Sequence, residues 1–117
     1  ASEEKNALEK KEIQKEKRLK KRLARISFYS LAHKQVEEGI YLMKTANQQI
    51  NEHEQYRYFN LAIQAFRKAI RLLEKTQDYL DSKDQQIIEK QIQQIQGYIK
   101  TCLMDRPQIL QEEYLKQ

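Results

Sequence analysis

The sequence predicts an all-α protein: an antiparallel three-helix bundle with a long basic N-terminal helical extension and a short C-terminal helix. Its 117 residues include two Gly and one Pro, a scarcity that disfavours the tight turns of β-sheet folds. Apolar residues recur at helical spacing in long segments, and polar stretches separate those segments. We therefore divide the chain into a basic helical extension (residues 1–25), a three-helix bundle (26–104) and a short C-terminal helix or tail (105–117).

The N-terminal 25 residues carry the entire net charge of +5. They contain ten Lys/Arg and five Glu, whereas residues 26–117 contain twelve charged residues of each sign. The segment consists of good helix formers but has few apolar residues to pack against a core. We expect it to form a helix that projects beyond the bundle and that a partner would stabilise.

Residues 26–51 are predicted to continue this helix into the core. Their apolar and small residues are spaced alternately four and three apart, which is a packing seam with a period of 3.5 residues. The seam consists of Ala32, Val36, Gly39, Met43, Ala46 and Ile50. Because Gly39 costs about 1 kcal/mol relative to Ala inside a helix, we expect a neighbouring helix to approach it closely. Asn51 is expected to end the helix as a left-handed cap.

The most apolar stretch, Tyr56 to Leu80, is predicted to be the central helix. Its apolar stripe is wide enough to contact more than one neighbouring helix. A loop is expected from Asp78 to Lys83. Ser82 with Gln85 then fits a capping box that begins the third helix.

The third helix is predicted to pack through a second stripe with the same alternating spacing. That stripe consists of Ile88, Ile92, Ile95, Ile99 and Cys102. Gly97 is expected to allow close approach, as Gly39 does. Pro107 pushes the preceding residue out of the helical region, so the helix should end there, and Asp105 should cap a short fourth helix.

Residues that could carry out catalysis are too few and too scattered to predict an enzyme. His33, His53 and Cys102 lack the spacing of a metal site, and Cys102 lies on an apolar stripe, where cysteine behaves as a small hydrophobe. No Gly-rich phosphate loop is present. We predict no cofactor and no small-molecule substrate. A single cysteine and a charged N-terminus favour a reducing intracellular compartment, the cytoplasm.

Two surfaces are predicted to bind partners. The first is a groove between the central and third helices that would accept an amphipathic protein segment; it comprises Phe59, Ile63, Phe66, Ile70, Ile95, Tyr98 and Ile99. The second is a basic surface that would dock on RNA, a microtubule or an anionic membrane. Its residues are Lys15, Lys17, Arg18, Lys20, Lys21, Arg22 and Arg25. The alternative for the second surface is a solvated basic helix without a partner.

The spacing Phe59-x-x-Ala62-x-x-x-Phe66-x-x-Ala69 resembles two families of helical adaptor. One is the tetratricopeptide repeat. The other is the microtubule-interacting and trafficking (MIT) domain, a three-helix bundle whose second helix begins with Tyr, Ala, Tyr and Ala at these positions. Tyr98-Ile99-Lys100 is also similar to a motif of the MIT third helix, although the Arg-Ala-Glu that follows in the family is absent here. The resemblance implies binding of tails of ESCRT filament proteins beside the third helix.

Together these patterns predict a non-enzymatic protein-protein interaction module, an adaptor resembling an MIT domain. The alternative is a small structural subunit of a ribonucleoprotein or cytoskeletal assembly, docked through its basic N-terminal helix. A third hypothesis is self-association through the seams of period 3.5.

Overall fold

The computed structural model describes residues 2–109 and consists of three helices: α1 (Ser2–Gln48), α2 (Glu52–Gln77) and α3 (Ser82–Asp105). No strand occurs within these residues, so the all-α prediction is confirmed. Helix α2 packs against both α1 and α3, whereas α1 and α3 approach each other much less. Within residues 2–109, none of the helices combines the length and the apolarity needed to cross a bilayer.

Helix α1 determines the elongated shape of the molecule. At 47 residues it is about 70 Å long, and the longest dimension of the chain is 79 Å. Every residue from 2 to 23 is exposed, because α2 and α3 run beside only the second half of α1. Residues 2–48, which include the predicted basic extension, therefore form one continuous helix without a break near residue 25.

Asn51 caps the start of α2 rather than the end of α1, contrary to the prediction. Its backbone is extended, with φ −79° and ψ 127°, and no residue from 2 to 109 has a positive φ. The Asn51 side chain accepts hydrogen bonds from the backbone N–H groups of His53 (2.8 Å) and Glu54 (3.2 Å). These bonds satisfy two donors that the first turn of a helix leaves free, and they fix the helix start at Glu52.

The N-cap of α3 is Asp81, one residue before the predicted Ser82. The Asp81 carboxylate accepts a hydrogen bond from the Asp84 backbone N–H at 3.0 Å. The side chain of Gln85 bonds instead to the backbone oxygens of Gln77 (3.0 Å) and Leu80 (2.9 Å). Gln85 thus holds the α2–α3 connection closed rather than completing a capping box.

Helix α3 ends at Asp105, as predicted from Pro107. Arg106 is extended, and its guanidinium donates a hydrogen bond of 2.6 Å to the Asn60 side chain oxygen. The guanidinium also lies 4.8 Å from the centre of the Tyr56 ring. These contacts attach the end of α3 to the first half of α2. The predicted fourth helix lies largely outside the described residues, and residues 107–109 are not helical.

The core lies between α2 and its two neighbours. Its buried α2 residues include Phe59, Phe66 and Leu73, and most of the predicted seams of α1 and α3 meet them. From those two seams, the buried residues are Ala32, Gly39, Ala46, Ile88, Ile92, Ile95 and Cys102. Ile50 is the exception: it follows the end of α1 and is fully exposed, so its assignment to the seam was wrong.

The two glycines differ in their surroundings. A Cβ atom built on Gly39 would lie 2.5 Å from Cε1 of Phe66, so the predicted close approach of a neighbouring helix is confirmed. A Cβ atom on Gly97 would meet no atom within 4 Å, and the same prediction for Gly97 is wrong. Gly97 lies on the exposed face of α3, away from α2.

Candidate functional site

An open groove separates α1 from α3, and α2 forms its floor. At its narrower end it is a cavity of about 270 Å³ between Val36 and Tyr98, above Leu73. At its wider end it continues into a space of about 710 Å³ near Arg25 and Asp84. Tyr29, His33 and Gln91 line both spaces. We call the combined depression the α1–α3 groove.

A single polar contact spans the two walls of this groove within the described residues. The Gln91 side chain donates a hydrogen bond of 3.0 Å to the Tyr29 hydroxyl. Both side chains lie at the surface, where such a bond contributes about 1 kcal/mol or less. A bound segment could therefore displace this bond at small cost, with water or its own polar groups replacing the partners.

The wider end of the groove exposes apolar side chains that the fold leaves uncovered. Ile26 and Ile87 are 53% and 55% exposed on opposite walls, and Tyr29, on the same wall as Ile26, is 42% exposed. The floor beneath them contains Thr76, whose hydroxyl bonds to the Leu72 carbonyl at 2.9 Å. Because that hydroxyl already has a hydrogen-bond partner within α2, a ligand over the floor would not need to supply one.

Charged groups of both signs surround this apolar surface. Arg25 and Lys34 contribute positive charge from α1, and Asp84 contributes negative charge from α3. His33 pairs with Glu37 at 3.1 Å, one turn further along α1. The rim therefore offers partners for either sign of charge and gives orientation rather than strong attraction.

Of the seven residues predicted to form a groove between the central and third helices, Ile95 and Tyr98 line the narrower end of the α1–α3 groove, and the other five do not line it. Phe59, Ile63, Phe66 and Ile95 are buried in the core, where α2 meets its neighbours. The Phe66 ring stacks on the Tyr98 ring with a centroid distance of 5.3 Å. The remaining members, Ile70, Tyr98 and Ile99, are half-buried against that core. The more exposed apolar side chains of the α1–α3 groove, Ile26, Tyr29 and Ile87, are not among the seven.

Sequence reasoning missed the α1 wall of this groove, because the wide apolar stripe of α2 led us to place the binding groove between α2 and α3. The useful signal was the position of two isoleucines beside, rather than on, the packing seams. Ile26 precedes the seam of α1, and Ile87 is adjacent to Ile88 on α3. An apolar residue beside the packing seam widens the apolar stripe of its helix beyond the face that the seam buries.

The seven residues of the predicted basic surface all lie on α1, beyond or at the end of the bundle. Arg25 is half-buried, and the other six are exposed: Lys15, Lys17, Arg18, Lys20, Lys21 and Arg22. They do not form a single patch, because Lys20 projects from a different side of the helix than Arg18 and Arg22.

Cys102 is buried, as its place in the apolar stripe predicted. Burial, with a smaller contribution from the nearby Asp105 carboxylate, raises the pKa of its thiol to about 11. The thiol is consequently protonated at neutral pH, the form in which sulfur is a poor nucleophile and a poor metal ligand. Among the side chains of residues 2–109, no group of three His, Cys, Asp or Glu is arranged to hold a metal ion.

Comparison with known proteins gives no relative: no family model, no curated protein and no solved structure matches this chain.

Proposed function

We propose that this chain is a non-enzymatic protein-interaction module that binds a partner segment in the α1–α3 groove. The observation that carries the proposal is the pair of half-exposed isoleucines, Ile26 and Ile87, on facing walls of that groove. Apolar side chains that converge on a concave surface gain free energy when a partner covers them.

An antiparallel three-helix bundle is the scaffold we infer for this module. Contacts between α1 and α2 pair Phe28 with Tyr79 and Gly39 with Phe66, so residue numbers rise along one helix as they fall along the other. Contacts between α2 and α3 follow the same rule; they pair Gln77 with Gln85, Phe66 with Tyr98 and Asn60 with Arg106. In such a scaffold α1 and α3 run in the same direction along the groove.

The partner that suits this groove is a short amphipathic segment. From Ile87 to Tyr98 the α3 wall is about 16 Å long, which matches roughly three turns of helix or five residues of extended chain. Apolar side chains of the segment would contact Ile26, Ile87 and Tyr29. The segment from Phe59 to Ala69 resembles the second helix of MIT domains, which bind short tails. This resemblance supports the same class of function.

Selection of peptides from a random phage-display library, with the full-length chain as the target, tests this proposal. Peptides selected for binding should lose about tenfold or more in affinity for Ile87→Glu, because the new carboxylate would be buried beneath the peptide. The matched control is Met104→Glu, which changes another exposed apolar residue of α3, outside the groove. Its affinity for the same peptides should equal that of the unchanged chain.

Thermal melting of both variants separates a binding effect from unfolding. Both side chains are more than half exposed, so neither substitution should shift the free energy of unfolding by more than about 0.5 kcal/mol. Selected peptides that bind both variants with unchanged affinity would refute the groove as the binding site.

A further inference from the structure

The exposed half of α1 has two chemically different sides. Viewed along the helix axis at 100° per residue, residues 5–25 divide into a side without any acidic residue and a side that carries Glu9, Glu12 and Glu16. The first side, which we call the basic face, has eight Lys/Arg among ten residues. They are Lys10, Lys11, Lys15, Lys17, Arg18, Lys21, Arg22 and Arg25.

The basic face is in line with the packing seam of α1. A row of residues spaced alternately four and three apart begins at Lys11 and ends at Ala46. Its first five members are basic, and the next six are uncharged. Lys11, Lys15, Arg18, Arg22 and Arg25 are followed by Tyr29, Ala32, Val36, Gly39, Met43 and Ala46. The side of α1 that contacts α2 within the bundle is thus the side that becomes basic beyond it.

The bundle ends where the basic face begins. Phe28 stacks against Tyr79 with a centroid distance of 6.0 Å, and Tyr79 lies just after the end of α2. From residue 23 to the N-terminal end, no side chain among the described residues is covered. From Lys10 to Arg22 the basic face therefore extends about 18 Å past the packed part of α1, with room for a large ligand alongside it.

We propose that this basic face binds the phosphate backbone of double-stranded nucleic acid, without reading its sequence. Eight positive charges without an intervening carboxylate match a continuous array of phosphates better than the mixed charges of a protein surface. Residues 1–25 contain no aromatic residue to stack on unpaired bases, which favours a duplex over a single strand. Arg25 also lines the wider end of the α1–α3 groove, but the other seven residues lie outside the groove, so this site does not depend on it.

An anionic membrane fits the same helix poorly. The exposed apolar residues Leu8, Ile13, Leu19 and Leu23 lie on the side opposite the basic face, together with the three glutamates. A helix lying on a bilayer needs its apolar residues to face the lipid with its basic residues at the flanks. Here, turning the apolar side toward lipid would bring Glu9, Glu12 and Glu16 against the anionic headgroups.

The test measures binding of the full-length chain to duplex DNA and duplex RNA of about 20 base pairs and random sequence, by fluorescence anisotropy over a salt series. If most of the eight side chains contact phosphate, log K should fall with log[salt] with a slope of about −5 to −7. The triple variant Lys15→Gln, Arg18→Gln, Arg22→Gln should reduce that slope by about 3 and weaken binding at least tenfold near 0.1 M salt.

The matched control removes three charges from outside the basic face: Lys5→Gln, Lys20→Gln and Lys100→Gln, all at exposed positions. It should weaken binding far less than the basic-face variant, although the change in net charge is identical. Equal losses in the two variants would show attraction to net charge alone and would overturn the site.

Vesicles that contain phosphatidylserine and poly-glutamate serve as alternative anions in the same assay. Absence of duplex binding at low salt, or tighter binding to vesicles or to poly-glutamate than to either duplex, would also overturn the proposal. Binding to duplex with the expected slope and variant order supports it. Loss of peptide binding in Ile87→Glu has no bearing on this result, so the two proposals fail separately.

Discussion

Gly39 of α1 lies directly against the ring of Phe66, at the centre of α2. A Cβ atom on residue 39 would come within 2.8 Å of three ring carbons of Phe66. Phe66 is fully buried and stacked on Tyr98 of α3, so its ring can move only if neighbouring side chains shift as well. The contact between α1 and α2 at this point thus depends on residue 39 being glycine, which has no side chain.

Gly39→Ala is therefore expected to destabilise the protein, although alanine is the better helix former. The overpacking cost of about 1–3 kcal/mol exceeds the gain of about 1 kcal/mol in helix propensity. Urea denaturation followed by circular dichroism should show a lower midpoint for the variant. A midpoint equal to or above that of the unchanged chain would mean that α1 and α2 are further apart than described.

Gly97→Ala is the matched substitution and should have the opposite sign. No atom lies within 4 Å of the new methyl group, so only the helix propensity changes. We expect a gain of about 0.5–1 kcal/mol in the free energy of unfolding. Loss of stability instead would indicate that another surface covers this face of α3, as self-association through α3 would do.

The Asn51 cap is predicted to hold the α1–α2 connection. Asn51→Ala removes the acceptor for two backbone N–H groups at the start of α2 and should cost about 1 kcal/mol. Asn51→Asp retains an acceptor at the same place and should restore most of that stability. The pair can be compared by thermal melting, and equal melting temperatures for Asn51→Ala and the unchanged chain would contradict the assigned cap.

The sequence was sufficient to predict three helices within residues 2–109 and most of the residues in the core, because periodicity at 3.5–3.6 residues is set by burial. The sequence-based predictions were wrong for features that several nearby residues could provide equally well, such as a helix cap, or that depend on which face of a helix a residue occupies. Asp81 and Ser82 can both cap a helix, and the choice between them follows from the position at which Gln85 closes the turn. Gly97 and Gly39 look alike in sequence, yet only the structure tells which one faces another helix.

The candidate site was less predictable than the fold for a related reason. Apolar spacing identifies residues that become buried, such as Phe59 and Ile95, and a binding surface consists of those that do not. Which flanking residues stay exposed depends on how far α1 and α3 are apart, a distance that no single helix encodes.

Cys102 gives a prediction on pH. Burial raises the pKa of its thiol from an ordinary 9.0 to about 11, so the folded chain holds this proton more tightly than the unfolded chain does. Its contribution to stability is therefore fully present below pH 9.0 and decreases as the pH rises toward about 11.

Alkylation by iodoacetamide over a pH series measures this directly, since the thiolate is the reacting form. In the folded chain, labelling should be slow at neutral pH and should rise with an apparent pKa near 11. In urea, the same thiol should titrate near its ordinary value. Rapid labelling of the folded chain at neutral pH would show that the end of α3 opens readily.

Hydrogen exchange is predicted to divide α1 into two parts despite its continuous helical backbone. Within the bundle, Ala32, Gly39 and Ala46 are buried against α2, so their amides should exchange slowly, through opening of the whole fold. Amides of residues 5–22 belong to a helix with no packed side, whose stability rests on helix propensity, and they should exchange within seconds to minutes. Mass spectrometry of pepsin fragments resolves the two parts.

Addition of duplex DNA at low salt should slow exchange in residues 5–25 and leave the remainder of α1 unchanged, because a ligand on the basic face stabilises only the turns that it contacts. Protection of residues 5–22 in the free chain, equal to that of residues 32–46, would instead mean that a second copy already covers the extension.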